Sequence, residues 1–167
     1  MSKIAERFSR LRVKDERALV LFVTAGDQPL SELPDLLASL EEAGADLVEV
    51  GIPFSDPFGE GPTIQGSSQR SLESGTTPRA VLEAVSKCSL GIPIVTMGYY
   101  NPVLRLGLRE FAHASAAAGV SGTIISDLVP DESGPWREAS VAAGLDTIFL
   151  AAPTSTEQRI REVAACS

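Results

Sequence analysis

Glu49 and Glu60 are the two residues whose type and setting best suit proton-transfer chemistry. Glu49 lies inside the apolar run LVEVGIPF, and Glu60 lies in the Pro- and Gly-rich segment SDPFGEGP. Because side chains alternate along a strand, Glu49 and Gly51 should share one face, with the neighbouring β-branched residues on the other. A carboxylate in apolar surroundings has a raised pKa and suits acid–base catalysis. From the strand alone, a structural glutamate and a catalytic one are equal alternatives.

The connection after this strand favours the hypothesis that Glu49 is catalytic. It runs from Ser55 to Thr76, far longer than the roughly two to six residues usual between a strand and a helix. Within it, the pattern predicts a short polar helix over 62–73, ended by Gly75. Long loops at the carboxyl ends of barrel strands carry active sites. Glu60 is therefore predicted to face Glu49 across a substrate, as an acid–base pair in two different settings.

The elements that must position these residues follow from a repeated pattern. The segments EAGADLVEV, AAGVSGTII and AAGLDTIFL each combine a helix end, a glycine suited to the left-handed conformation and a β-rich run. Strands are predicted near 19–24, 47–52, 92–98, 123–127 and 146–151, and alternating apolar strands and helices indicate a parallel α/β sheet. The chain has neither GxGxxG nor GxxxxGK[ST], so a TIM-type barrel or an open α/β sheet is favoured.

Cap residues predict where the helices begin. Ser31 is predicted to cap a helix with a leucine stripe, and Thr77 precedes a proline at the first helical position. Thr154 and Glu157 form a capping-box pattern for the last helix. A helix before the first strand should turn its apolar residues inward, namely Ile4, Phe8 and Leu11.

Composition excludes several classes of function. The net charge is −8 and the excess of acids lies after residue 17, so a nucleic-acid partner is not expected. No apolar run approaches the roughly 18 residues of a membrane span, and the first residues lack a secretory signal, which predicts a soluble, cytoplasmic protein. Cys88 and Cys166 are isolated and His113 is the only histidine. The sequence therefore predicts no metal site or disulfide framework, inert thiols, and a structural or surface role for His113.

Long motifs give the chain a family resemblance. VEVGIPFSDPFGEGPTIQ, LFVTAGDQP, PIVTMGYYNPV, SGTIISDLVPDES and FLAAPTST resemble the tryptophan synthase alpha chain family, whose members are TIM barrels. The resemblance implies retro-aldol cleavage of indole-3-glycerol phosphate to indole and glyceraldehyde 3-phosphate. It implies that Glu49 is the principal acid–base residue. At position 60 the family has an aspartate that interacts with the indole N–H, whereas this chain has Glu60.

The resemblance also implies a pocket and a partner. Phe22, Met97 and Tyr99 match the indole pocket, although for each of them plain core packing is at least as good an alternative. Pro53 and Asp56 match a loop that touches a beta subunit in an α2β2 tetramer, and Phe54 and Phe58 flank them. Asp56 is otherwise a turn acid, and the two phenylalanines otherwise only pin the loop. The implied chain has no cofactor of its own, because pyridoxal phosphate belongs to the beta subunit that receives the indole.

The length predicts part of a barrel. Eight βα units need about 250 residues, whereas five strands are predicted here. Residues 1–167 are therefore expected to form a single, partial TIM-barrel domain, the first five βα units after an N-terminal helix, truncated at the C-terminus. Barrels usually seat a substrate phosphate after strands seven and eight, so weak activity is expected of this chain alone. The alternatives are a catalytically incompetent docking module and a stand-alone lyase that releases indole.

Overall fold

The structure is a computed structural model that describes residues 1–167, and it consists of one sheet covered by helices. A helix opens the chain, and helices then alternate with strands. The elements are α1 (Lys3–Val13), β1 (Val20–Thr24), α2 (Leu33–Glu42), β2 (Leu47–Gly51), α3 (Pro62–Glu73), α4 (Pro78–Val85), β3 (Ile94–Gly98), α5 (Tyr100–Leu106), α6 (Leu108–Ala117), β4 (Gly122–Ile125), α7 (Gly134–Ala143), β5 (Asp146–Ile148) and α8 (Glu157–Cys166).

The sheet is parallel throughout, and its spatial order β1-β2-β3-β4-β5 is the order of the strands in the chain. This is the arrangement of consecutive βα units in a TIM barrel, and it confirms the predicted fold class. β1 and β5 lie at the two edges. All five predicted strands are present, each shorter than its predicted range. Two rows of residues cross the sheet side by side: Phe22, Glu49, Val95, Gly122 and Asp146, then Thr24, Gly51, Met97, Ile124 and Ile148.

The two faces of the sheet are packed differently, as the alternation in β2 predicts. Val48, Val50 and Ile52 belong to the main core between the sheet and the helices. A smaller apolar cluster on the inner face contains Leu47. Glu49, between Val48 and Val50, therefore lies on the inner face. The other members of this inner cluster are Val95, Ile124, Ile4, Met97 and Ile148.

Glycines end helices where the sequence predicts. Gly44, Gly119 and Gly144 have φ angles of +102°, +88° and +75°, a conformation that a residue with a side chain rarely adopts. The predicted polar helix is present as α3, and Gly75 follows it with φ +80°.

Helix starts were predicted less accurately. The Thr77 cap is confirmed, because its side chain accepts a hydrogen bond from the Ala80 N–H. The Ser31 cap is wrong, because Ser31 lies inside a 3₁₀ turn and α2 begins at Leu33 without a side-chain cap. The Thr154 cap is wrong as well. Thr156 has the extended backbone a cap needs and accepts from the Arg159 N–H, two residues further along.

Two further differences concern α1 and α5. Leu11 is buried and Ile4 packs on the inner face, whereas Phe8 is 44% exposed, so its predicted inward placement is wrong. Phe8 lies one turn after Ile4 on the same side of α1, so helical spacing alone did not reveal that nearly half of its surface stays exposed. α5 was not predicted, because only Tyr99 separates it from β3 and its third residue is Pro102. None of the helices is long and apolar enough to cross a membrane.

Candidate active site

Glu49 sits in the middle of β2 on the inner face and is half-buried. In register it faces Phe22 on one side and Val95 on the other. Its carboxylate makes no hydrogen bond or ion pair within the chain. Desolvation by these surroundings raises the pKa of Glu49 above its ordinary value. A carboxyl with a raised pKa keeps its proton to a higher pH than an ordinary glutamate does, which suits it to act as both acid and base.

Gly51, one row above Glu49, makes room for an aromatic ring. A Cβ atom at this position would lie 2.5 Å from Cζ of Phe22, so any side chain would displace the ring. Phe22 thus packs over the backbone of β2 next to the carboxylate. The space that Gly51 leaves beside Glu49 is therefore filled by the ring of Phe22, a predicted pocket residue.

A small pocket lies at the carboxyl ends of β1, β2 and β3. Its wall includes Phe22, Met97 and Tyr99, the three residues predicted to contact a substrate, together with Glu60. Glu60 is half-buried there. Glu49 lies one row below, beside Phe22. The structure thus brings Glu60 and all three predicted pocket residues into one wall, whereas Glu49 lies outside that wall, next to Phe22. The remaining lining residues are Thr24, Gly51, Ile52, Phe54, Pro57, Ile64, Ser68 and Gly98.

The loop that carries Glu60 is held from two sides. On the sheet side, the Gly59 N–H donates a hydrogen bond of 3.1 Å to Oη of Tyr99. On the helix side, Nε2 of Gln65 donates to the Glu60 carbonyl at 2.8 Å. Within the loop, the Glu60 N–H donates to the Pro57 carbonyl at 3.0 Å.

Helix α3 is fastened to the end of β1 by polar contacts that the sequence did not reveal. Oγ of Ser67 lies 2.7 Å from Oγ1 of Thr24. The buried Ser71 hydroxyl donates a hydrogen bond of 2.6 Å to the carbonyl of Ala25, the residue after β1. Arg70 bonds Asp27 through Nε at 2.7 Å and Nη2 at 3.0 Å. The hydrogen bond from Arg70 lowers the pKa of the Asp27 carboxyl, and the same contact raises the pKa of the Arg70 guanidinium.

The sequence carried only a weak signal of this attachment. The run SSQRS does place small hydroxyls and an arginine on the sheet side of a polar helix. Their partners lie far away in the chain, so no local pattern could name them.

The predicted partner-contact residues differ in exposure. Pro53 is buried, and Phe54 is half-buried against Tyr99, with ring centroids 5.1 Å apart. Asp56 is exposed, and its Oδ2 accepts a hydrogen bond from the Ser55 hydroxyl at 2.6 Å. Phe58 is 76% exposed. Asp56 and Phe58 are therefore the members of this group with surface to offer.

The residues predicted to be inert lie apart from the pocket. Cys88 and Cys166 are half-buried and unpaired, and burial raises the pKa of the Cys88 thiol. His113 is exposed on α6. No group of three His, Cys, Asp or Glu side chains is arranged to hold a metal ion.

Consecutive parallel βα units with carboxylates at the carboxyl ends of the strands are the layout of a TIM-barrel enzyme. The family model for the tryptophan synthase alpha chain matches residues 8–167. The chain therefore belongs to the tryptophan synthase alpha chain family.

Relatives and solved structures agree with this assignment. The tryptophan synthase alpha chain of Citrifermentans bemidjiense is 49% identical over 98% of this chain, which spans 62% of that relative's length. Tryptophan synthase from M. tuberculosis, in its aminoacrylate-bound form, is 39% identical with a TM-score of 0.94, covering 100% of this chain and 69% of that one. The tryptophan synthase a2b2 complex from Pyrococcus furiosus gives a TM-score of 0.86 at 36% identity, covering 90% and 64%.

Proposed function

We propose that this protein acts as a tryptophan synthase alpha chain and carries the acid–base residues that cleave indole-3-glycerol phosphate. The observation that supports this most directly is Glu49, a half-buried carboxylate with a raised pKa and no partner on the inner face of the sheet. In this proposal residues 1–167 act as one partial barrel domain.

The reaction requires two proton movements and one bond cleavage. Indole C3 gains a proton, and the hydroxyl on the adjoining side-chain carbon loses one. The bond between C3 and that carbon then breaks, and the carbon becomes the aldehyde carbon of the second product. The bonding electrons return to the ring, giving indole and glyceraldehyde 3-phosphate. Glu49 is the group proposed to move these protons, because a carboxyl with a pKa nearer to neutrality serves as both acid and base.

Glu60 is proposed to stabilise the positive charge that builds on the indole ring before the bond breaks. A carboxylate near the indole N–H does this by a charge-assisted hydrogen bond. Its position in the wall of the pocket with Phe22 and Tyr99 supports this role. Glu is one methylene longer than the aspartate of the family, so its carboxylate reaches further from the loop backbone.

The partner proposed for this chain is a tryptophan synthase beta subunit that takes up the indole. The solved relative from Pyrococcus furiosus is an a2b2 complex, and Asp56 and Phe58 offer exposed surface on the matching loop. Pyridoxal phosphate would belong to that beta subunit. For this chain we propose no cofactor, since general acid–base chemistry is sufficient for the cleavage.

The experiment completes the barrel before measuring activity. A hybrid chain would join residues 1–167 to the remaining C-terminal part of the Citrifermentans bemidjiense relative, because the phosphate seat of such barrels usually follows strands seven and eight. Indole release from indole-3-glycerol phosphate is then measured for the hybrid and for the 167-residue chain. We expect turnover by the hybrid and little or none by the shorter chain.

Other outcomes separate the alternatives. A folded hybrid that produces no indole, with or without a beta subunit, would refute the proposal. If that hybrid nevertheless binds a beta subunit in size-exclusion chromatography, the chain is a docking module. Full turnover that a beta subunit neither binds nor alters would instead indicate a stand-alone lyase.

A further inference from the structure

The hydroxyl of Tyr99 holds a backbone group of the loop that carries Glu60. Tyr99 follows β3 directly and is only 4% exposed, and its Oη accepts the hydrogen bond from the Gly59 N–H. Gly59 is the residue before Glu60. We propose that Tyr99 is a positioning residue, which anchors the loop 54–60 to the sheet and so sets the place of the Glu60 carboxylate. This inference rests on the proposed function of Glu60.

The ring of Tyr99 packs against two aromatic residues of the same loop. Phe54 stacks on it with centroids 5.1 Å apart, and Phe58 meets it edge-on at 5.4 Å. Both are favourable geometries for aromatic pairs. A ring enclosed in this way has little surface left for a substrate. Of the two alternatives that the sequence left open for Tyr99, these contacts therefore favour packing, here against the loop, over contact with indole.

The anchor is rigid because of its place in the sheet. Tyr99 is the first residue after β3, a strand that pairs with β2 on one side and β4 on the other. The loop itself has no sheet hydrogen bonds. The hydrogen bond from the Gly59 N–H to Oη of Tyr99 therefore fixes this part of the loop relative to the sheet. Glu60, the next residue in the loop, is fixed with it.

Gly59 permits this close approach. A Cβ atom at position 59 would lie 3.2 Å from Oη of Tyr99, which is tighter than an ordinary van der Waals contact. A larger residue would push the loop and the hydroxyl apart. With Gln65 holding the Glu60 carbonyl from α3, Glu60 lies between two fixed points.

A matched pair of tyrosine variants tests the anchor in the 167-residue chain. Tyr99→Phe keeps the ring and removes only the hydroxyl. Tyr100→Phe is the control, because Tyr100 is half-buried next door and uses its backbone N–H, not its hydroxyl, to bond Asp127. By NMR, we expect the Gly59 amide to exchange about tenfold faster in Tyr99→Phe, as loss of one typical hydrogen bond implies, and unchanged in Tyr100→Phe. Equal exchange in Tyr99→Phe and the unsubstituted chain would overturn the proposal.

Kinetics of the hybrid chain distinguish positioning from substrate binding. Tyr99→Phe should lower kcat about tenfold at unchanged KM, since a displaced Glu60 weakens only the transition state. A raised KM at unchanged kcat would show that the hydroxyl binds substrate, and would overturn the proposal. If the unsubstituted hybrid produces no indole, the proposed function fails. In that case the exchange rate of the Gly59 amide alone tests whether the Tyr99 hydroxyl anchors the loop.

Discussion

Asp46 and Glu49 lie three residues apart in the chain, yet their carboxylates have opposite surroundings. Asp46, just before β2, accepts hydrogen bonds from the Leu19 N–H at 2.7 Å and from Arg7 at 2.7 and 3.1 Å. The Leu19 bond is the main reason that the pKa of Asp46 is lowered, and Arg7 adds to the effect. Glu49 has no such partner, and desolvation raises its pKa.

The contrast separates a carboxylate that holds the fold from one that is free to react. Asp46 joins α1 to the start of the sheet, through Arg7 on α1 and Leu19 just before β1. An unpaired carboxylate in apolar surroundings costs stability, so an acid kept in that state is a candidate for chemistry. In TIM barrels the amino ends of the strands serve stability and the carboxyl ends serve catalysis. Asp46 lies just before the amino end of β2, which fits a structural role, and Glu49 lies further along the strand toward its carboxyl end.

The largest expected effect is on the Glu49 side of the comparison. Glu49→Gln in the hybrid chain should lower the rate of indole formation by about a thousandfold, within the range typical for general acid–base groups. Circular dichroism should show an unchanged fold, because the amide has the same shape. A near-normal rate in this variant would refute the central assignment.

The next effect is on stability and concerns Asp46. Asp46→Asn should lower the free energy of unfolding by about 1.5–3 kcal/mol at pH 7, the usual contribution of a hydrogen bond to a charged group. The folded-state pKa of Asp46 lies below its ordinary value of 3.8. Its stabilisation is therefore present above pH 3.8 and is lost as the pH falls through the folded value.

Urea unfolding of both chains at several pH values measures this change. The indole-forming rate of the folded Asp46→Asn hybrid should stay unchanged. A large loss of rate with no loss of stability would reverse the roles assigned to the two acids.

A smaller effect is expected from shortening Glu60. Glu60→Asp restores the family residue but withdraws the carboxylate by about one carbon–carbon bond from a loop anchored by Tyr99 and Gln65. Because a misplacement of about 1 Å can cost up to a hundredfold in rate, we expect a loss of about tenfold in kcat of the hybrid. Glu60→Gln, which keeps the length and removes the charge, is the matched control and should be slower still. If Glu60→Asp is faster than the unsubstituted hybrid, the loop is not adapted to glutamate.

The smallest expected effect is the pH dependence of stability due to Glu49. A carboxyl with a raised folded-state pKa stabilises the protein fully below its unfolded value, about 4.5, and this contribution is lost as the pH rises through the folded value. Glu49→Gln removes the titration. The variant should therefore gain stability relative to the unsubstituted chain between pH 4 and pH 7.5.

The midpoints of urea unfolding at pH 4 and pH 7.5 measure this difference in stability. Glu42→Gln, at the exposed end of α2, is the control. A gain of equal size in Glu42→Gln, or a relative loss in Glu49→Gln, would contradict the raised pKa.

The sequence alone determined the order of the elements and the faces of the strands. Glycines at helix ends and alternating apolar runs are local signals, because they depend on backbone conformation and on which side of a strand faces the helices. They predicted the position of Gly44, Gly119 and Gly144, the helix α3, and the inner-face placement of Glu49. They failed where two local alternatives compete, as at Ser31 and at Thr154 against Thr156.

Only the tertiary structure decided what each site residue contacts. The attachment of α3 to β1 through Arg70 and Asp27, and the bond between Tyr99 and Gly59, join residues 43 and 40 positions apart. A hydrogen bond between distant segments leaves no periodic trace in the sequence, since it depends on how the strands are brought side by side. For the same reason the sequence did not reveal that Asp46 is held by Leu19 and Arg7, whereas Glu49, three residues further on, has no such partner.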